Sequence, residues 1–203
     1  MSRVISLSFS VLLAAAAAAQ TPALRKGVSV QMPVTTSASP MPDADLADSL
    51  VVAVTLRGTV FLEVTTVTPA ELSEKVKAEL AVHSAKRVYL KGDARTPYST
   101  MAEVLDALRT AGVNAPILLT DQRDAADVSY VPPKGLEVML PPPADAARYM
   151  IGSLSDTELR QRVRRDQPVL LQADGKMPFG DVVHAIDVCR AAGAQVFLGR
   201  PVQ

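Results

Sequence analysis

Few residues in this chain of 203 could do chemistry on their own: two histidines, His83 and His184, and one cysteine, Cys189. Neither histidine has a second imidazole or a thiolate at metal-ligand spacing, so no zinc-type site is expected. A Ser-His-Asp arrangement can assemble from distant residues, but no Gly-x-Ser-x-Gly turn offers a nucleophile, and an exported hydrolase is the least favoured function. Cys189 falls on the apolar stripe of a helix, so core packing rather than thiol reactivity is expected of it. No catalytic, cofactor-binding or metal-ligating residue is assigned.

One polar constellation occurs twice with the same spacing: Asp93, Pro97 and Tyr98, then Asp174, Pro178 and Phe179. Read functionally, these are partner-binding residues on loops at the C-terminal ends of strands, where open sheets present ligand contacts. Read structurally, each Asp closes a turn on its own backbone, each Pro begins a helix and each aromatic packs on a sheet. A second feature is the basic cluster Arg160, Arg162, Arg164 and Arg165, suited either to an anionic partner or to a solvated helix face. Asp106/Arg109 and Asp187/Arg190 are i, i+3 pairs expected as weak exposed ion pairs.

The elements that must position these residues come from an internal repeat. Residues 88–120 and 169–199 share Val88/Val169, Leu90/Leu171, Asp93/Asp174, Pro97/Pro178, Asp106/Asp187, Arg109/Arg190 and Gly112/Gly193 at one offset. A repeat fixes architecture before any residue is given a role. It extends upstream. Gly27 to Pro33 and Gly135 to Pro141 both read Gly, apolar, polar-type, Val, variable, Met or Leu, Pro, and alternation predicts a strand in each. Thr68-Pro-Ala-Glu71 and Ser155-Asp-Thr-Glu158 are both capping boxes that begin helices.

The first copy then reads strand 50–56, a turn at Arg57-Gly58, strand 60–64, helix 69–82, strand 87–91, helix 98–110 and strand 117–120. Met101, Val104, Leu105 and Leu108 make an apolar stripe, matched by Val182, Ala185, Ile186 and Cys189. Both helices should stop at Gly112 and Gly193. The second copy is shorter, with room for one strand near residues 148–151 in place of a hairpin. The expected fold is α/β: two tandem small domains at 20–120 and 135–203, each a mixed sheet with two helices on one face. Residues 121–134, rich in Asp and Pro, read as a linker.

Composition bounds the partners. Acidic and basic residues balance at 21 each, which disfavours nucleic acid, since phosphate binding rests on a surplus of Lys and Arg. There is no Trp, so aromatic stacking clefts are poorly supported. Residues 1–19 have the charged, apolar and small-residue layout of a signal peptide, and the chain is expected to be exported to the periplasm or its equivalent. If the segment is not cleaved, the chain is anchored to the inner membrane. A lone cysteine forms no internal disulfide, so the core must supply the stability.

The order of these motifs resembles the periplasmic domain of the ExbD/TolR family: Gly-apolar-x-Val-x-Met/Leu-Pro, a Gly-turn hairpin, a capped helix, strand-x-x-Asp-x-x-x-Pro-Tyr/Phe, and a striped helix ending in Ala-Gly. The resemblance implies a non-enzymatic component of a biopolymer transport system of the TonB or Tol type. Partners so implied are a TonB/TolA-like protein, an ExbB/TolQ-containing complex or peptidoglycan. It also implies dimerisation, which two copies in one chain could achieve as an intramolecular pseudo-dimer. Family members carry a membrane Asp for proton-driven work, whereas residues 4–19 hold no ionisable side chain. A carboxylate is what carries a proton through lipid, so proton conduction by this chain is not expected.

Overall fold

The computed structural model describes residues 27–83, 86–120 and 132–202. The expected signal peptide lies outside these residues, as does most of the expected linker. The fold is α/β, with ten strands, four helices and one short 3-10 turn at Pro42–Asp45 among the described residues.

Strands β1 (Ser39–Pro40), β2 (Leu50–Val54), β3 (Val60–Leu62), β4 (Thr65–Val67), β5 (Val88–Gly92), β6 (Ile117–Thr120) and β7 (Lys134–Glu137) form one mixed sheet in the order β1-β7-β6-β5-β2-β3-β4. Strands β8 (Ala147–Met150), β9 (Pro168–Gln172) and β10 (Gln195–Leu198) form a second sheet, parallel throughout, in the order β10-β9-β8. Parallel neighbours need crossovers, and helices supply them. Helix α1 (Pro69–Val82) lies on the path from β2 to β5, α2 (Tyr98–Thr110) joins β5 to β6, α3 (Asp156–Arg162) joins β8 to β9, and α4 (Phe179–Ala191) joins β9 to β10.

Local chemistry accounts for most helix ends. Thr68 and Ser155 each accept from the N–H of the glutamate three residues on at 3.3 Å, while Glu71 and Glu158 bond back to the cap N–H at 2.8 and 2.9 Å. Helices α2 and α4 are C-capped by Ala111 and Ala192, followed by Gly112 and Gly193 at φ 92° and 83°, where any other residue would be strained.

Three expected strands differ. Residues 27–33 form no strand, because their polar backbone is engaged elsewhere: Gln31 C=O accepts from Ala94 N–H at 2.8 Å, and Gln31 N–H donates to the Asp93 carboxylate at 3.3 Å. The expected strand at 60–64 stops at Leu62, because Glu63 adopts φ 57° and turns the chain into a further strand, β4. Glu63 is tied there by Val51 from both sides, N–H to Val51 C=O at 2.8 Å and carboxylate to Val51 N–H at 3.0 Å. Strand β7, read from sequence as the start of the second copy, pairs antiparallel with β6 in the first sheet.

A single apolar cluster runs from Leu72 and Val76 of α1 through Leu90, Tyr98 and Phe179 to Val196 of β10, so both halves of the chain share one core. Each large side chain buried there contributes on the order of 1.5–3 kcal/mol. Val51, Tyr89, Ile117 and Leu119 on the opposite face of the first sheet are covered by the segment before β2, including Met32, Met41 and Ala44.

Candidate interaction site

The two repeated loops meet each other. Pro97 and Pro178 stand opposite one another as an antiparallel bridge. Around them, Tyr98 and Ser99 donate their N–H groups to Met177 and Gly175 C=O at 2.8 and 2.9 Å, while Phe179 and Gly180 donate to Thr96 and Ala94 C=O at 2.8 and 2.7 Å. Each donor on one side has an equivalent donor 81 residues away on the other, and each acceptor an equivalent acceptor at the same offset, so the four bonds are related by a local two-fold. The N–H groups of a helix's first turn have no partner within the helix. Here each helix start is satisfied by the loop that precedes the other helix.

The side chains follow the same exchange. Phe179 is fully buried beside Gly92, and a Cβ on Gly92 would lie 2.7 Å from the Phe179 ring. Tyr98, also fully buried, donates its hydroxyl to Gly199 C=O at 2.6 Å beyond β10. Burial raises the Tyr98 phenol well above its ordinary range, with Asp106 adding to the shift, so it remains a neutral donor.

The two aspartates do similar work with different exposure. Asp93 and Asp174 accept the N–H of the residue two positions on, Arg95 at 3.1 Å and Lys176 at 2.7 Å. Asp93 is buried and also takes a bidentate pair from the Arg95 guanidinium at 2.9 and 2.8 Å. That guanidinium holds the Asp93 carboxyl below the usual carboxylate range against the opposing effect of burial. Asp174, Pro97 and Pro178 are exposed. The six candidate residues are thus brought together, and the main-chain groups around them bond to each other.

Arg160, Arg162, Arg164 and Arg165 are all exposed, and none forms an ion pair with another described residue. His184 bonds Asp156 at 2.8 Å on the surface. Cys189 is buried, which pushes its thiol up to about 12.

Asp187 departs from the expected exposed ion pair. It is buried and accepts from Thr36 N–H at 2.8 Å, Thr36 Oγ1 at 2.9 Å and Ser37 N–H at 2.9 Å, as well as from the Ser37 hydroxyl. Burial alone would raise its pKa, yet the donors of Ser37 and Thr36 outweigh it and hold the carboxyl below its ordinary value. Thr35 adds a hydroxyl bond to Thr120 at 2.8 Å. Its counterpart Asp106 does form the expected pair with Arg109 at 2.9 Å, and Arg200 joins it at 3.1 Å. The only sequence signal for the Asp187 site was the hydroxyl run at residues 35–37, and nothing in local spacing linked it to a helix 150 positions away.

The geometry defines an α/β module whose polar groups are arranged for holding backbone, with no cluster of metal-ligating side chains among the described residues. The family model for biopolymer transport protein ExbD/TolR matches residues 4–123, and the chain belongs to that family. The match includes the apolar run at the N-terminus and ends just beyond β6. No curated protein matched the chain. No helix among the described residues is long and apolar enough to cross a membrane.

Proposed function

We propose that the chain is an exported, non-catalytic accessory protein of a TonB- or Tol-type energy-transduction system, built from two ExbD/TolR-like copies, the second abbreviated, docked as an intramolecular pseudo-dimer. On this reading it binds an extended segment of a TonB/TolA-like partner by strand addition at β8. The observation that carries the reading is the outer edge of β8. Ala147 pairs with Val169 as Leu50 pairs with Val88, so β8 is the counterpart of β2. Strand β2 carries β3 on its far side, whereas no described strand pairs with the far side of β8. An open edge is a template for a further strand, with backbone bonds giving affinity and alternate side chains giving choice. Met150 is 39% exposed on that strand, an apolar contact for an incoming residue.

The reading is tested by titrating the protein with extended TonB-type peptides and following backbone amide shifts. Shifts centred on residues 147–150 are expected, and their absence removes strand addition at this edge. Lacking an ionisable residue in positions 4–19, the chain acts beside a proton-conducting subunit of an ExbB/TolQ-containing complex rather than as one.

A second reading, a peptidoglycan or cell-envelope scaffold module, is favoured by the four exposed arginines at 160–165. Its test is co-sedimentation with purified cell wall, which should weaken when Arg160 and Arg164 are changed together to Gln.

A further inference from the structure

Helices α2 and α4 present the same carboxylate to two different surroundings, and the difference points to a second binding site. Asp187 of α4 faces the end of β6, and the groove between them is filled by the chain's own residues 35–37. There Asp187 takes two consecutive backbone N–H groups and two hydroxyls from Thr36 and Ser37, while Thr120 at the end of β6 holds Thr35. Asp106 is the residue 81 positions earlier, on α2. By strand register, Tyr89 pairs with Ile117 and Leu170 with Phe197, so the counterpart of Thr120 is Arg200.

The α2 counterpart of the filled groove is an open cleft of about 400 Å³. Its walls include Ala102, Leu105 and Asp106 of α2, Leu198 and Arg200 from the end of β10, and Pro141. The chain explains why it stays open. Residues 34–49 separate Pro33 from β2, long enough to cross α4, but only residues 142–146 separate Pro141 from β8, and Ala146 N–H turns back to Pro143 C=O at 3.2 Å. In place of a chain segment, Asp106 holds two guanidinium groups, Arg109 on Oδ1 at 2.9 Å and Arg200 on Oδ2 at 3.1 Å, whose side chains are 38% and 73% exposed and can turn toward solvent.

We infer that the α2 cleft binds an extended partner segment carrying a Thr-Ser or similar hydroxyl pair, whose consecutive N–H groups replace Arg109 and Arg200 on the two Asp106 oxygens as Thr36 and Ser37 occupy those of Asp187. The site lies apart from the β8 edge and rests on the repeat reading, not on strand addition. The apolar wall from Ala102 and Leu105 selects for a small apolar flanking residue, as the buried Ala38 is beside the Thr-Thr-Ser run of the filled groove. Donation to an ionised acceptor is stronger than a neutral bond, so Asp106 supplies more of the affinity than the hydroxyl contacts do.

The test is titration of the full chain with the blocked hexapeptide Pro-Val-Thr-Thr-Ser-Ala, the sequence of residues 33–38, followed by backbone amide shifts. Shifts are expected at residues 102–109 and 198–202 and not at 147–150. Asp106→Asn should weaken binding about tenfold, the effect of removing one charged acceptor, while Arg200→Ala should retain or tighten it. Both positions are at the surface, and an unchanged amide spectrum outside the cleft verifies the fold of each variant. Absence of shifts on α2, shifts confined to α4 and Thr120, or binding indifferent to Asp106→Asn would each overturn the proposal. Self-association through the same residues without peptide would overturn it in favour of a second copy of this chain.

Discussion

Pro97 and Pro178 face each other across an antiparallel bridge, although neither has a backbone N–H to give. The pairing works because the donors come from the residues just after them, Tyr98 and Phe179, each bonding the carbonyl that precedes the opposite proline. The proline ring at each N-cap also fixes φ, −57° at Pro97 and −58° at Pro178, and with ψ 139° and 137° the two loops arrive in matching conformation. Each helix start is therefore complete only when the other loop is present.

That dependence makes Gly92 sensitive. Its Cβ would come within 2.7 Å of both the Phe179 ring and the Met101 methyl. Gly92→Ala should destabilise the protein by roughly 1–3 kcal/mol through overpacking, and Phe179→Ala by about 3–5 kcal/mol through the cavity it leaves. Urea unfolding measures both. A Gly92→Ala midpoint equal to that of the wild type would show that the ring does not occupy this position.

Acid should loosen the strap across α4. The folded-state pKa of Asp187 lies below its unfolded value, so its stabilisation is complete above about pH 4, the ordinary carboxylate range. It is lost as pH falls through the depressed folded value. Asp93, held down chiefly by Arg95, adds a loss of the same sign. Asp187→Ala strands the N–H groups of Thr36 and Ser37 and should cost about 1–3 kcal/mol at neutral pH. Its stability curve should also be flatter than that of the wild type below about pH 4, which thermal melts across the acid range can resolve.

The caps are separable from the core. Thr68→Ala and Ser155→Ala should each cost about 1 kcal/mol, and the two should add, since they cap different helices. A double-variant denaturation series checks the sum.

Cys189 should be inert in the folded protein. With its thiol buried and pushed up to about 12, almost no thiolate is present at pH 8. Iodoacetamide should label it only under denaturing conditions, as read by intact mass. Rapid labelling of the native protein would mean that α4 opens far more readily than its packing implies.

Much of the fold was legible because it rests on local rules. The capping boxes at Thr68 and Ser155, the stripe through Met101 and Leu108, and the glycine stops at 112 and 193 each involve residues within about two helical turns, where spacing alone specifies geometry. The segment at 27–33 misled for the converse reason. Alternation shows that a stretch can be extended, but a strand needs a neighbour, and the backbone of Gln31 is bonded to Ala94 and Asp93 instead. Glu63 was missed because a left-handed glutamate is held by Val51, twelve residues away.

The sequence by itself determined that two stretches share residues at one offset, and where the helices in them begin and end. Only the tertiary structure decided what the corresponding residues do, because that depends on which groups lie opposite once the loops cross. Asp106 and Asp187 are the same residue type at the same helical position, yet one meets arginines at the surface and the other, itself buried, meets the backbone of Thr36 and Ser37. Local propensity sets the carboxylate's place on its helix, but the length of a distant loop sets its partner.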